Sequence, residues 1–147
     1  MKVSELYGVE LDYWVAKAEG YTFFWSKHDY WSVTKPNGET EACFENWKPF
    51  DAYIGEKREA PKAHECIGEI GFMPTHYWET AGPIIEREKI TIEFDPQLNG
   101  KWCAYHVGYM GRPVAGRHDT HYQEGETPLI AAMRCFVASK FGDELKG

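Results

Sequence analysis

The chain has 147 residues, 43% of them hydrophobic and 16% aromatic, with a formal net charge of -7. This length predicts one domain that buries roughly 70% of its unfolded surface and needs no covalent staples. The acidic balance excludes a general binder of extended nucleic acid, which requires clustered Lys and Arg against phosphate. Six Trp and nine Tyr leave aromatic surface over for an interface or a stacking site.

The start, MKVSELYGVELDYW, carries no apolar signal core, and no stretch approaches a membrane span. Tyr7, Leu11, Trp14, Val15 and Ala18 share one helical stripe that Gly20 closes, which predicts a helix over about 9–19, extendable back to Ser4. Residues 21–47 are aromatic and turn-rich. In them Asp29–Thr34 and Glu41–Phe44 flank Pro36-Asn37-Gly38, the pattern of a hairpin. Residues 48–65 read as a polar loop and Ile67–Phe72 as a short strand. Two prolines and a glycine in residues 73–83 leave no period, so this segment reads as an ordered loop. Ile90, Ile92 and Phe94 alternate with Thr91 and Glu93 as a half-buried strand, and Trp102–Val107 reads as its partner across Asp95-Pro96 and Asn99-Gly100. Residues 108–124 are loop-like.

Gly125–Gly142 is the best-marked stretch. Thr127 suits the N-cap and Pro128 the first helical position, while Gly142 suits the residue after the last turn. Ile130, Met133, Val137 and Phe141 recur at helical spacing. Ala131, Cys135 and Ala138 make a second, small-residue face, interrupted only by the charges of Arg134 and Lys140. A helix apolar nearly all round is buried on more than one side, by its own fold or by a second subunit. The order of helix, antiparallel strands and helix predicts an α+β fold, a small antiparallel sheet packed by an N-terminal and a C-terminal helix.

The four cysteines at 43, 66, 103 and 135 form no C-x-x-C pair and read as reduced, mostly buried thiols of a cytosolic protein. His118-x-x-His121, with His106 as a third donor, has a ligand's chemistry but neither paired nor helical ligand spacing, so solvated loop histidines are the default and no metal is assigned. Gly108–Arg117 holds three glycines with Arg112 and Arg117, the residue types that let backbone and guanidinium approach a phosphate. The helix start at Thr127 follows, where anions are favoured, although Glu124 and Glu126 oppose one. Trp78, Tyr77, Trp102 and Tyr105 offer ring faces, with Arg87 as a clamp for an acidic group. For Trp102 the filling of a sheet face is the simpler reading. No G-x-S-x-G elbow or placed Ser/His/Asp set supports catalysis.

Three segments, VSELYGVELDYWVAKAEG at 3–20, Pro74 through Trp78 and Gly82-Pro83 to Glu88, and TPLIAAMRCFVASKFGDE at 127–144, together resemble the NinX-like family of small tailed-phage proteins. More distantly they resemble phage proteins described as α-β-α sandwich domains. The resemblance covers somewhat under half of the chain. The family pattern before the tryptophan usually reads Pro-Ser-Thr-Asp, followed by Gly-Gly-Pro. Here Pro74-Thr75-His76-Tyr77 precedes Trp78 and Ala81-Gly82-Pro83 follows, so the acidic residue is missing. The resemblance implies a phage origin and the host cytoplasm, and no activity.

The expected function is that of a non-catalytic phage accessory protein, in its concrete form a counter-defence protein that sequesters a small nucleotide-type host signal. The expected ligand-binding residues are Pro74, Thr75, Trp78, Gly82, Arg87, Trp102, Arg112, Arg117 and Thr127, with no catalytic residue, metal or cofactor. The alternative is a protein-interaction module that inhibits or recruits a host protein, and a small nucleotide hydrolase stands third. A homo-oligomer through the C-terminal helix is expected if Ala131, Cys135 and Ala138 are left uncovered.

Overall fold

The computed structural model describes residues 1–27, 30–43, 62–107 and 120–146. A 3-10 turn at Val3–Glu5 leads to helix α1 (Gly8–Glu19) and strands β1 (Thr22–Trp25), β2 (Trp31–Thr34) and β3 (Thr40–Cys43). A second 3-10 turn, Ala63–Cys66, runs into the short helix α2 (Ile67–Ile70). Helix α3 (Trp78–Glu88), β4 (Thr91–Asp95), a 3-10 turn at Pro96–Leu98, β5 (Lys101–Tyr105), β6 (Gln123–Gly125) and helix α4 (Pro128–Phe141) complete the order. The class is α+β, with helices at both ends. The strands divide into two antiparallel sheets of three, β1-β2-β3 and β4-β5-β6.

Helix α4 forms where its sequence punctuates it. The Thr127 hydroxyl accepts the Ile130 N–H at 3.1 Å, Pro128 occupies the first turn, and Gly142 takes φ +84 while donating to the Ala138 carbonyl. Leu129, Met133, Phe136 and Val137 are all at most 4% exposed. Helices α1 and α3 and strands β4, β5 and β6 all pack on α4. The small-residue face is covered within the chain as well, with Ala131 and Cys135 at 0% and Ala138 at 3% exposure. Ala131 lies against Gly125 of β6, and the face expected to seat a second copy is buried within the chain.

Helix α1 starts at Gly8, and the Ser4 region forms a separate 3-10 turn. Leu11, Trp14 and Val15 enter the core as the stripe predicts, and Gly20 ends the helix at φ +103. Tyr7 does not follow them. It is the N-cap residue and 72% exposed.

Several local expectations are corrected. Residues 78–88, read in part as loop, form α3. Its Ala81 and Ile84 are buried and Ile85 half-buried against the main core. That spacing is helical, and packing overrides the breakers Gly82 and Pro83. Interior proline costs about 3 kcal/mol, offset by the buried apolar face, and Lys89 closes the helix at φ +55. Ile67–Phe72 is not a strand: Ile67 to Ile70 make one helical turn, ended by Gly71 at φ +73. Strand β1 adds a third member to the predicted hairpin, and β6 lies at the end of the segment read as loop. The β4–β5 hairpin has Ile92 opposite Ala104 and Phe94 opposite Trp102.

Candidate functional site

Four stretches far apart in sequence converge on one open groove of about 840 Å³. The N-terminal turn and the start of α1 contribute Ser4, Tyr7 and Gly8. The turn before α3 contributes Thr75 and His76. Lys101 comes from β5, Tyr122 to Gly125 from the β6 segment, and Glu126, Thr127, Ile130 and Arg134 from the start of α4.

Arg134 is the charged residue on the buried part of α4. Its Nε donates to the Leu6 carbonyl at 2.9 Å and its Nη1 to the Glu124 carbonyl at 2.7 Å. These bonds staple the N-terminal turn to β6 and hold the guanidinium at the groove wall. Guanidinium offers five N–H donors, and two of these contacts go to backbone. Among the described residues no carboxylate forms an ion pair with Arg134. Burial lowers its pKa from the ordinary value, with the charge of Glu126 acting in the opposite direction. A fixed, partly desolvated and unpaired guanidinium is a receptor for an anion.

Two features add to it. Lys101 is exposed on the wall. Helix α1 opens onto the groove at Gly8 without a side-chain cap from Tyr7, leaving its first-turn N–H groups as positive ends of the helix dipole. Glu124 and Glu126 act against an anion. Glu124 is engaged, since the Tyr122 hydroxyl donates to its Oε1 at 3.2 Å. Tyr7 and Tyr122 supply ring faces.

The Thr75–His76 wall is held from beneath by Asp12, which is fully buried on α1. Its Oδ1 accepts the Thr75 N–H and its Oδ2 the Thr75 hydroxyl, both at 2.9 Å. Thr75 Oγ1 lies 3.0 Å from His76 Nδ1. The bonds therefore run in one direction when His76 Nδ1 carries a proton: imidazole to hydroxyl to buried carboxylate. Burial pushes the Asp12 carboxyl up to about 6, with Thr75 and His76 partly countering. A carboxyl raised above its unfolded value of 3.8 stabilises the fold fully below that value, and the contribution is lost as pH rises through about 6. The shift corresponds to about 3 kcal/mol. Asp12→Asn keeps an acceptor for the Thr75 N–H and has no charge to lose. Urea denaturation at pH 5 and pH 7.5 is expected to show a smaller drop for the variant, by about 1.4 kcal/mol. Equal drops in both proteins would refute this role for Asp12.

Of the residues singled out from sequence, Thr75 and Thr127 line the groove. Pro74 is fully buried behind it. Trp78 is 56% exposed on α3, and neither it nor Gly82 lines the groove. Arg87 is not an available clamp: its guanidinium pairs with both carboxylate oxygens of Glu19 and with Glu88, tying α3 to α1. Trp102 packs on the main core and against Phe94, the structural role weighed for it. Arg112, Arg117 and the rest of the Gly108–Arg117 loop lie outside the described residues, as does His118.

His106 and His121 do meet, with their Nδ1 atoms 3.0 Å apart and the Cys135 sulfur 3.6 Å from His106. Among the described residues, however, no group of three donors is arranged to hold a metal ion. The sequence reading missed Tyr7, His76, Tyr122 and Arg134 as site residues. The usable signal is Arg134, a charge midway along a helix that is apolar nearly all round.

Among the described residues, no helix is long and apolar enough to cross a membrane. No curated protein matches the chain. A family model described as Bacteriophage P22, NinX matches residues 2–140. That span takes in the N-terminal helix, both sheets and nearly all of α4, and the chain belongs to the NinX family of phage proteins.

Proposed function

We propose that this phage protein binds a small, anionic, ring-bearing ligand of nucleotide type in the groove beside Arg134, and holds it without turning it over. The observation that carries this reading is Arg134, fixed by two backbone carbonyls and with no carboxylate partner among the described residues. The groove's volume lies within the roughly 300–1,000 Å³ of small-molecule sites. Tyr7 and Tyr122 provide faces for a base, Arg134 and Lys101 provide charge for a phosphate, and Ser4 and Thr75 provide hydroxyls for a sugar. Sequestering such a host signal in the host cytoplasm is the counter-defence role consistent with a phage accessory protein.

Calorimetry and native mass spectrometry against cyclic nucleotides, nucleoside mono- and diphosphates and ADP-ribose derivatives test the reading. One ligand is expected to bind at one equivalent and to be recovered intact by chromatography. Absence of binding across that panel would remove the proposal, and product formation would make the protein a hydrolase. A second reading, docking to a host protein, draws on Tyr77 and Trp78, which are 50% and 56% exposed beside each other at the start of α3. A stoichiometric partner lost with Trp78→Ala would favour it, and retention of that partner would not.

A further inference from the structure

Away from the groove, Val33, Cys43 and Cys66 form a second small core, flanked by Trp31, Phe23 and Ile70. Cys43 ends β3 and Cys66 ends the 3-10 turn before α2, at 6% and 2% exposure. The two thiols pack in the same small buried cluster. The Cys43 thiol donates to Glu69 Oε2 at 3.0 Å. Glu69 itself is exposed on α2, so the buried Cys43 thiol is bonded to a solvent-facing carboxylate. The other two cysteines lie elsewhere, Cys135 on α4 beside His106 and Cys103 within β5.

We propose that Cys43 and Cys66 are a peroxide-oxidisable thiol pair that closes to a disulfide and fastens the β1-β2-β3 sheet to the α2 turn. One thiol sulfur attacks hydrogen peroxide, the O–O bond breaks, and a sulfenic acid and one water result. The second thiol sulfur then attacks the sulfenic sulfur, forms the S–S bond and expels a second water. Two thiols are oxidised by two electrons and one peroxide is reduced to two waters. The thiolate is the reactive form. Burial, Cys66 and the Glu69 carboxylate all push the Cys43 thiol up, so the pair is protected under mild conditions and Glu69 acts as its positioning residue. The reduced thiols expected of a cytosolic protein are therefore its resting state, and the cross-link is its response to oxidant. The bond would close about 23 residues of chain, which restricts the unfolded ensemble.

The test treats the full-length reduced protein with hydrogen peroxide, alkylates the remaining thiols under denaturing conditions and maps the peptides. Two of the four free thiols are expected to disappear, with a mass loss of about 2 Da and a single Cys43–Cys66 linked peptide. Tm is expected to rise by about 5–10 °C, and dithiothreitol should reverse both changes. Cys43→Ser and Cys66→Ser should each abolish the rise, and Cys103→Ser should leave it. Glu69→Gln should oxidise faster by about tenfold. Four thiols surviving peroxide, a lone sulfinic acid at Cys43, or a linked peptide involving Cys103 or Cys135 would each overturn the proposal. The mapping uses unmodified protein, so it stands even if a serine variant fails to fold.

Discussion

Gly125→Ala is expected to destabilise the protein by about 3 kcal/mol or more, lowering Tm by roughly 10 °C. Gly125 ends β6 where the chain turns toward α4. A Cβ on it would lie 2.6 Å from the Ala131 backbone nitrogen, 2.9 Å from Ile130 Cγ2 and 3.0 Å from Ala131 Cα. The first and third of those atoms belong to helix backbone and cannot swing aside as a side-chain end does. Relief therefore requires β6 to separate from α4, which strips packing from the most buried helix of the fold. Urea denaturation with unchanged slope and a shifted midpoint would report it. Gly82→Ala is the control. A Cβ there meets nothing within 4 Å and Gly82 lies inside α3, so alanine should be neutral or stabilising by about 0.5–1 kcal/mol. A Gly125→Ala protein within 1 kcal/mol of the parent would show that β6 can shift from α4 without loss of packing.

The elements legible in the sequence are those whose local chemistry agrees with their packing. Thr127, Pro128 and Gly142 punctuate α4 as capping rules require, and Asn99 and Gly100 take the positive φ that a tight β4–β5 connection needs. Helix α3 was hidden because Gly82 and Pro83 argue against a helix locally, while Ala81 and Ile84 are held in one by the tertiary core. Strand β6 has three residues, Gln-Glu-Gly, with no strand propensity of their own. It exists because β5 and α4 offer partners on two sides. Asp12 carries no mark in the sequence of its burial, which follows from the approach of Thr75 from far along the chain. Of the groove's lining, Thr75 stands out in the sequence through the Pro74–Pro83 loop and Thr127 as an N-cap, whereas Arg134 gains its place from two carbonyls on other elements. The small-residue face of α4 is buried within the chain, and Ala131 on it lies against Gly125 at the end of β6.

Arg134→Met is expected to weaken the best-binding ligand of the nucleotide panel on the order of 100-fold, since a charge-assisted bond to an anion contributes roughly 1.5–3 kcal/mol and its desolvated site cannot be refilled by water at equal strength. The same substitution removes the two bonds to Leu6 and Glu124, so some stability is lost too, and affinity must be compared at a temperature where both proteins are folded. Arg134→Lys separates the two contributions. It keeps the positive charge and loses the planar fork, so recovery of only a small part of the affinity would show that geometry, more than charge, selects the ligand. Lys101→Ala is expected to cost only a few-fold, because Lys101 is exposed and its attraction is screened by salt. Raising the salt concentration should therefore erase the difference between Lys101→Ala and the parent while leaving most of the Arg134 effect in place. A folded Arg134→Met protein that binds within threefold of the parent would place the anion elsewhere and remove the observation on which the ligand-binding reading depends.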